Sequence, residues 1–249
     1  LYVRNNQYEK AIAAYEKILS LNPADAEVRK TLSTLYQATG REGAALESME
    51  KALTQNPNDT RIIFDLAQAH FNRQAYEKVI ELLPRFNNFV PGDLLALEML
   101  GDAQIRLSHY RDALKTYERI IAAKVDDKKV LVKIANCYRE LGDVSVARRF
   151  ANKTLVVDGK FGAAYIALGQ IYEACADKCV TQKGKTEFDD KLVYELAYFQ
   201  YEKALQDLAT RTEARQRLKF LEASIPNKED RFMNQGKAKA AGPCYQWIY

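Results

Sequence analysis

Lys129, Lys133, Asn136 and Arg139 follow one another at steps of four, three and three, the spacing that places side chains on one helix face. Such a row can hold an extended polypeptide, because the amide hydrogen bonds to its backbone and the cations draw its carboxylates. Little else in the chain has the makings of chemistry. His70 stands in a column otherwise filled by Tyr36, Tyr138 and Tyr172, which marks it as a packing residue, and His109 falls in a turn. No glycine-rich phosphate loop, HExxH or GxSxG occurs. Acidic residues pair with Lys and Arg at helical spacing, as on solvated faces. The four cysteines, Cys137, Cys175, Cys179 and Cys244, are too sparse for a disulfide scaffold and read as buried small apolar residues or neutral surface thiols. Cys175 and Cys179 share a helix face, but no further ligand pair completes a zinc site. The expectation is therefore no catalytic residue, no metal and no cofactor.

The elements that must carry the row are helices. Of 249 residues, 47% are apolar and 28% charged, an ordinary globular composition, while scarce Gly and Pro argue against a sheet-rich fold. No apolar run reaches the roughly 18 residues that span a bilayer. The formal charge is +4, and residues 211–249, with eight basic and four acidic side chains, account for all of it. The rest is neutral in sum, so the basic stripe of a nucleic-acid binder is missing and no nucleic-acid partner is expected. The chain opens on Leu1 in an already amphipathic segment, which reads as a fragment whose N-terminus lies upstream. The compartment, cytoplasmic or periplasmic, stays open.

A fixed period organises the helices. Pro23, Pro57 and Pro91 are 34 residues apart. The same step links an apolar column (Leu32, Leu66, Leu100, Ile134, Leu168) and a column of small residues beside it (Ser33, Ala67, Gly101, Ala135, Gly169). A second small column runs Ala11, Ala45, Val79, Ala113 and Ala147. Small residues let two backbones approach, so the two small columns, one per helix, mark where paired helices touch. Gly40 and Gly142 fall between the helices of a pair, where a left-handed cap suits glycine. Proline after the second helix stops it before the next unit.

These residues resemble the tetratricopeptide repeat, whose first helix carries Leu-Gly/Ala then Tyr, and whose second carries Ala, an aromatic, Ala-Leu and a closing Pro. Leu32, Tyr36, Gly40, Ala45, Ala52 and Pro57 carry the likeness best. The implied fold is all-α, a right-handed superhelical solenoid of antiparallel helix pairs with about five and a half repeats. Residues 1–25 read as the second helix of a truncated repeat (Ala11, Tyr15, Leu19, Pro23), and 26–59 as a repeat. Residues 60–93 are degenerate, with a second helix expected to be short or kinked at Pro84. Residues 94–127 and 128–161 are further repeats. In 162–211 the second-helix signature starts at Ala197 instead of 181, so about 16 residues are inserted between the helices. Helical patterning on both sides of a loop-like Gln182–Asp190 implies two lengthened helices in a projecting hairpin. Residues 212–224 read as a capping helix and 225–249 as an irregular tail, whose apolar end (Tyr245, Trp247, Ile248, Tyr249) either folds back or supports self-association.

The resemblance also implies a function: a non-enzymatic scaffold that binds a protein or peptide in the groove lined by first helices. The family register places Lys30, Arg61, Phe64, Gln68, Phe71, Asn72, Arg106, Lys129, Lys133, Asn136, Arg139 and Gln170 on that groove. Phe64 and Phe71 would be its aromatic anchors. Some family members clamp a terminal carboxylate with Lys and Asn on three successive first helices; only Lys129 and Lys133 fit that pattern here, so this ligand is not expected. The competing readings are a nucleic-acid-binding helical repeat and a structural component of a bacterial envelope or secretion assembly.

Overall fold

A computed structural model describes residues 7–22 and 25–249, and Pro23 lies outside these. Two compact units divide the chain, Leu1–Leu107 and Ser108–Tyr249. The first holds α1 (Tyr8–Leu21), α2 (Ala26–Ala38), α3 (Glu42–Gln55), α4 (Thr60–Asn72), α5 (Tyr76–Phe89) and α6 (Leu94–Arg106). The second holds α7 (Tyr110–Ala123), α8 (Lys128–Glu140), α9 (Val144–Val157), α10 (Gly162–Lys183), α11 (Phe188–Ala204), α12 (Arg211–Leu221) and α13 (Lys228–Met233), then a 3-10 turn, Pro243–Tyr245. Within each unit, consecutive helices from α1 to α6 and from α7 to α12 pack against one another, and no strand occurs among the described residues.

The 34-residue period recurs in the helix starts: 26, 60, 94, 128 and 162 for one set, and 8, 42, 76, 110 and 144 for the other. Two local devices set these bounds. Aspartates at the same step (Asp25, Asp59, Asp93 and Asp127) each accept a hydrogen bond from a backbone N–H in the first turn of the helix that follows. In the turns that follow α2, α4, α6 and α8 one residue takes a left-handed conformation: Gly40, Gln74, Ser108 and Gly142, with φ of 69°, 61°, 60° and 83°. Glycine fills the position twice; the other two repeats hold it with side chains that rarely go there.

The small columns are seated where helices approach. Ala67, Val79, Ala113, Ala135 and Ala147 are fully buried. Gly169 faces the fully buried ring of Tyr201, and a Cβ there would stand 2.4 Å from it. His70 is buried in the first unit's core, and burial pushes its imidazole below the ordinary value of 6.5 against the pull of Glu50. His109 is an exposed residue preceding α7.

Three expectations differ from what is seen. α5 runs unbroken for 14 residues with Pro84 inside it. Pro84 lies on the exposed side of the helix, away from the packed face formed by Leu82, Leu83 and Phe86. The turn between α10 and α11 is only 184–187, shorter than the loop-like stretch Gln182–Asp190, because Glu187 and Asp190 form a capping box that starts α11 early. α10 has 22 residues where the other first helices have 13, an excess of nine that carries it about 13 Å further at 1.5 Å per residue. The tail 225–249 is not irregular throughout. Asn227 and Asp230 cap the short α13, and the rest folds onto α9, α10 and α11. Tyr245 and Ile248 are buried in that core, Trp247 stacks on Tyr172 at 6.1 Å, and Arg148 donates to the Trp247 carbonyl. Their spacing has no helical period because they are placed by contacts to several helices: Tyr245 bonds Asp190 of α11, and Trp247 meets Tyr172 of α10 and Arg148 of α9.

Candidate partner-binding faces

In the first unit, α2 and α4 flank a groove of about 590 Å³ with Met49 of α3 and Ala69 on its apolar part. The groove gathers Lys30, Arg61, Gln68 and Asn72, all exposed. Lys30, Thr34, Gln68 and Asn72 reach it because residues three to four apart stack on one helix face. Among the described residues, no hydrogen bond or ion pair engages the side chains of Lys30, Arg61, Gln68 or Asn72. Opposite charge is present in smaller amount. Asp65 lies between cations, its carboxyl pushed up by burial and drawn back by Arg29 and Arg61, and Glu27 stands at the rim. Arg29, 5% exposed, and Asp65 are groove residues that the sequence reading missed. Their signal is a charge at an otherwise inward helical position.

Phe64 and Phe71 lie elsewhere. Phe64 tilts against Phe86 with centroids 5.4 Å apart, and Phe71 meets Tyr76 edge-on at 5.5 Å. Both rings are half-buried within the α4–α5 hairpin, where they fill space that the degenerate repeat leaves between its helices. Arg106 is exposed in the last turn of α6 and does not line the groove.

In the second unit, Lys129 is exposed on α8, while the Lys133 ammonium sits 5.7 Å over the Tyr117 ring. Arg139 donates to Gln170 and to Glu140, and Gln170 donates onward to Glu213 at 3.2 Å. One helical turn along α10, Glu173 meets Arg217 of α12 at 3.4 Å. Burial pushes the Glu173 carboxyl up, and the Tyr201 hydroxyl and Arg217 pull it back. Burial also raises the Tyr201 hydroxyl, with Glu173 adding to the rise. A polar ladder thus ties α8, α10 and α12 together and commits Arg139 and Gln170 to contacts inside the chain. Asn136 is half-buried, and its Oδ1 is an acceptor with no hydrogen bond among the described residues.

Neither face holds a nucleophile beside a base or a convergent set of metal ligands. No group of three or more His, Cys, Asp and Glu that could hold a metal exists among the described residues. No helix of those residues is long and apolar enough to cross a membrane. The first face presents hydrogen-bonding side chains around a groove, while on the second Arg139 and Gln170 are bonded within the chain.

Comparison with known proteins agrees with this architecture. Mouse tetratricopeptide repeat protein 21A is 27% identical over 157 residues, covering 61% of this chain and 12% of that protein. The Arabidopsis thaliana CTR9 homolog is 20% identical over 209 residues, covering 66% of this chain and 19% of its own. The chain therefore spans less than a fifth of these curated relatives. Among solved structures, MamA superposes with a TM-score of 0.58 at 20% identity, over 75% of this chain and 93% of its own. YrrB, described as a TPR protein with an unusual peptide-binding site, superposes with a TM-score of 0.57 at 17% identity, over 83% of this chain and 98% of its own. At such identities the likeness shows the fold. The sequence model of intraflagellar transport protein 56 matches residues 1–156, well over half of the chain. The chain is a tetratricopeptide repeat protein and belongs to the intraflagellar transport protein 56 family.

Proposed function

We propose that this chain is a non-enzymatic scaffold that holds an extended segment of a partner protein in the α2–α4 groove of its first unit. The observation that carries the reading is the set of four exposed side chains, Lys30, Arg61, Gln68 and Asn72, gathered around one groove without a hydrogen bond or ion pair among the described residues. Two amides suit the backbone of an extended peptide, and two cations suit carboxylates along it. Desolvating cations without giving them partners is costly, so a guest that brings acceptors is favoured over an apolar one. The family name directs the search for the partner to other components of intraflagellar transport.

The test compares capture by the wild-type chain and by Lys30→Glu/Arg61→Glu from a lysate of flagellated cells. Proteins lost from the variant are identified by mass spectrometry and then bound as purified pairs. Loss of a partner at unchanged circular dichroism, with affinity falling at least tenfold and weakening as salt rises, supports the reading. Equal capture by the double variant sinks it.

A further inference from the structure

We propose that Cys179 and Cys244 form a redox modification site that clasps the C-terminal tail to α10, with a small thiol and its disulfide, of the glutathione class, as co-reactants. The two sulfurs are bonded, with the Cα atoms 6.2 Å apart, and the bond closes a separation of 65 residues. Cys179 lies in the last two turns of α10, within the stretch by which that helix exceeds its counterparts. Cys244 belongs to the 3-10 turn whose Tyr245 is buried and donates to the buried Asp190. The clasp thus joins the two parts of the second unit that depart from the repeat.

The chemistry is a two-electron exchange. Cys179 is buried and Cys244 half-buried, so attack falls on the Cys244 sulfur. A glutathione thiolate bonds to that sulfur, and Cys179 leaves as thiolate and takes a proton. A second glutathione thiolate attacks the glutathione sulfur of the mixed disulfide, releasing glutathione disulfide and the Cys244 thiol. The reverse sequence, started by glutathione disulfide, restores the bond. Cys175, one turn before Cys179, points its sulfur at the Cys244 carbonyl, 3.4 Å away. It is buried, and burial pushes its thiol up, which keeps it out of the exchange.

Other contacts hold the tail when the bond is open: Lys191 with Asp230, Lys237 with Asp189, and the Trp247–Tyr172 stack. Reduction therefore loosens the tail rather than expelling it. A cross-link over a long loop suppresses opening by narrowing the open ensemble, so its removal raises the opening frequency of every tail amide together.

The test equilibrates the 249-residue chain with glutathione disulfide or with glutathione, blocks free thiols after denaturation, and measures mass and amide exchange. The oxidised chain should carry two blocking groups and the reduced chain four. Trypsin cuts after Lys178 and so separates Cys175 from Cys179, and the oxidised digest should contain 179–183 joined to 240–249. Amides of 240–249 should exchange at least tenfold faster after reduction. Cys244→Ser, with three blocking groups in both buffers, should match the tail exchange of the reduced chain, and Cys137→Ser, with one group fewer than wild type in each state, should respond to the two buffers as wild type does. Four blocking groups under glutathione disulfide, a Cys175–Cys244 peptide, or tail exchange equal in both states would each overturn the proposal.

Discussion

Changing Gly142 to Ala should destabilise the second unit by about 1 kcal/mol, and changing Ser108 to Gly should stabilise it by about 0.5–1 kcal/mol. Both residues occupy the left-handed position in the turn after a helix, α8 for Gly142 and α6 for Ser108, at φ of 83° and 60°. Nothing lies within 4 Å of a Cβ built at Gly142, so packing contributes nothing and the backbone decides the outcome. A non-glycine residue in that region costs about 1–2 kcal/mol. Alanine returns about 0.4–1 kcal/mol by narrowing the unfolded ensemble. The difference is the expected loss. At Ser108 the signs reverse, and the side chain gives up only an exposed contact with the Tyr110 hydroxyl at 3.4 Å. The assay is urea unfolding followed by circular dichroism, reading midpoint shifts at unchanged slope. Helix propensity alone would favour alanine and serine over glycine, and so would stabilise Gly142→Ala and destabilise Ser108→Gly; the sign of each shift separates the explanations. A Gly142→Ala chain as stable as wild type would refute the requirement for a left-handed turn.

Gly169→Ala should cost about 1–3 kcal/mol by a different route, since its Cβ would stand 2.4 Å from the buried Tyr201 ring; the urea midpoint reports it. Asp127→Ala should cost about 1 kcal/mol through loss of the α8 cap, with faster amide exchange in the first turn of that helix. Burial pushes the Asp127 carboxyl up, but Lys124 and the Val130 and Lys129 amides together hold it below its ordinary value of 3.8. A depressed folded value means that the cap supports stability above 3.8 and loses it as pH falls through the lower folded value. The stability difference between Asp127→Ala and wild type should therefore vanish in acid, which unfolding titrations at pH 2 to 6 would check. Arg139→Glu should weaken the second unit itself by breaking its bond to Gln170, whereas Lys129→Glu should leave the melting temperature unchanged.

What the sequence determined by itself is everything that repeats. The 34-residue step, the small columns and the left-handed turns at Gly40 and Gly142 depend on neighbours within one repeat or the next, so each instance supports the others, whereas the same turn at Gln74 and Ser108 carries no glycine to mark it. The capping aspartates were equally available: Asp25, Asp59, Asp93 and Asp127 keep the same step, and each acts within three residues of itself. The break in that column shows where locality ends. Phe161 stands in the capping place before α10, and the Gly162 N–H instead donates to Asp207, 45 residues away. Tertiary structure alone decided such contacts. It spent Arg139 on Gln170, turned Phe64 and Phe71 into their own hairpin, brought Arg29 and Asp65 to the groove, and joined Cys244 to Cys179. A segment that occurs once has no register to read, and its partners follow from shape and charge complementarity across the folded chain.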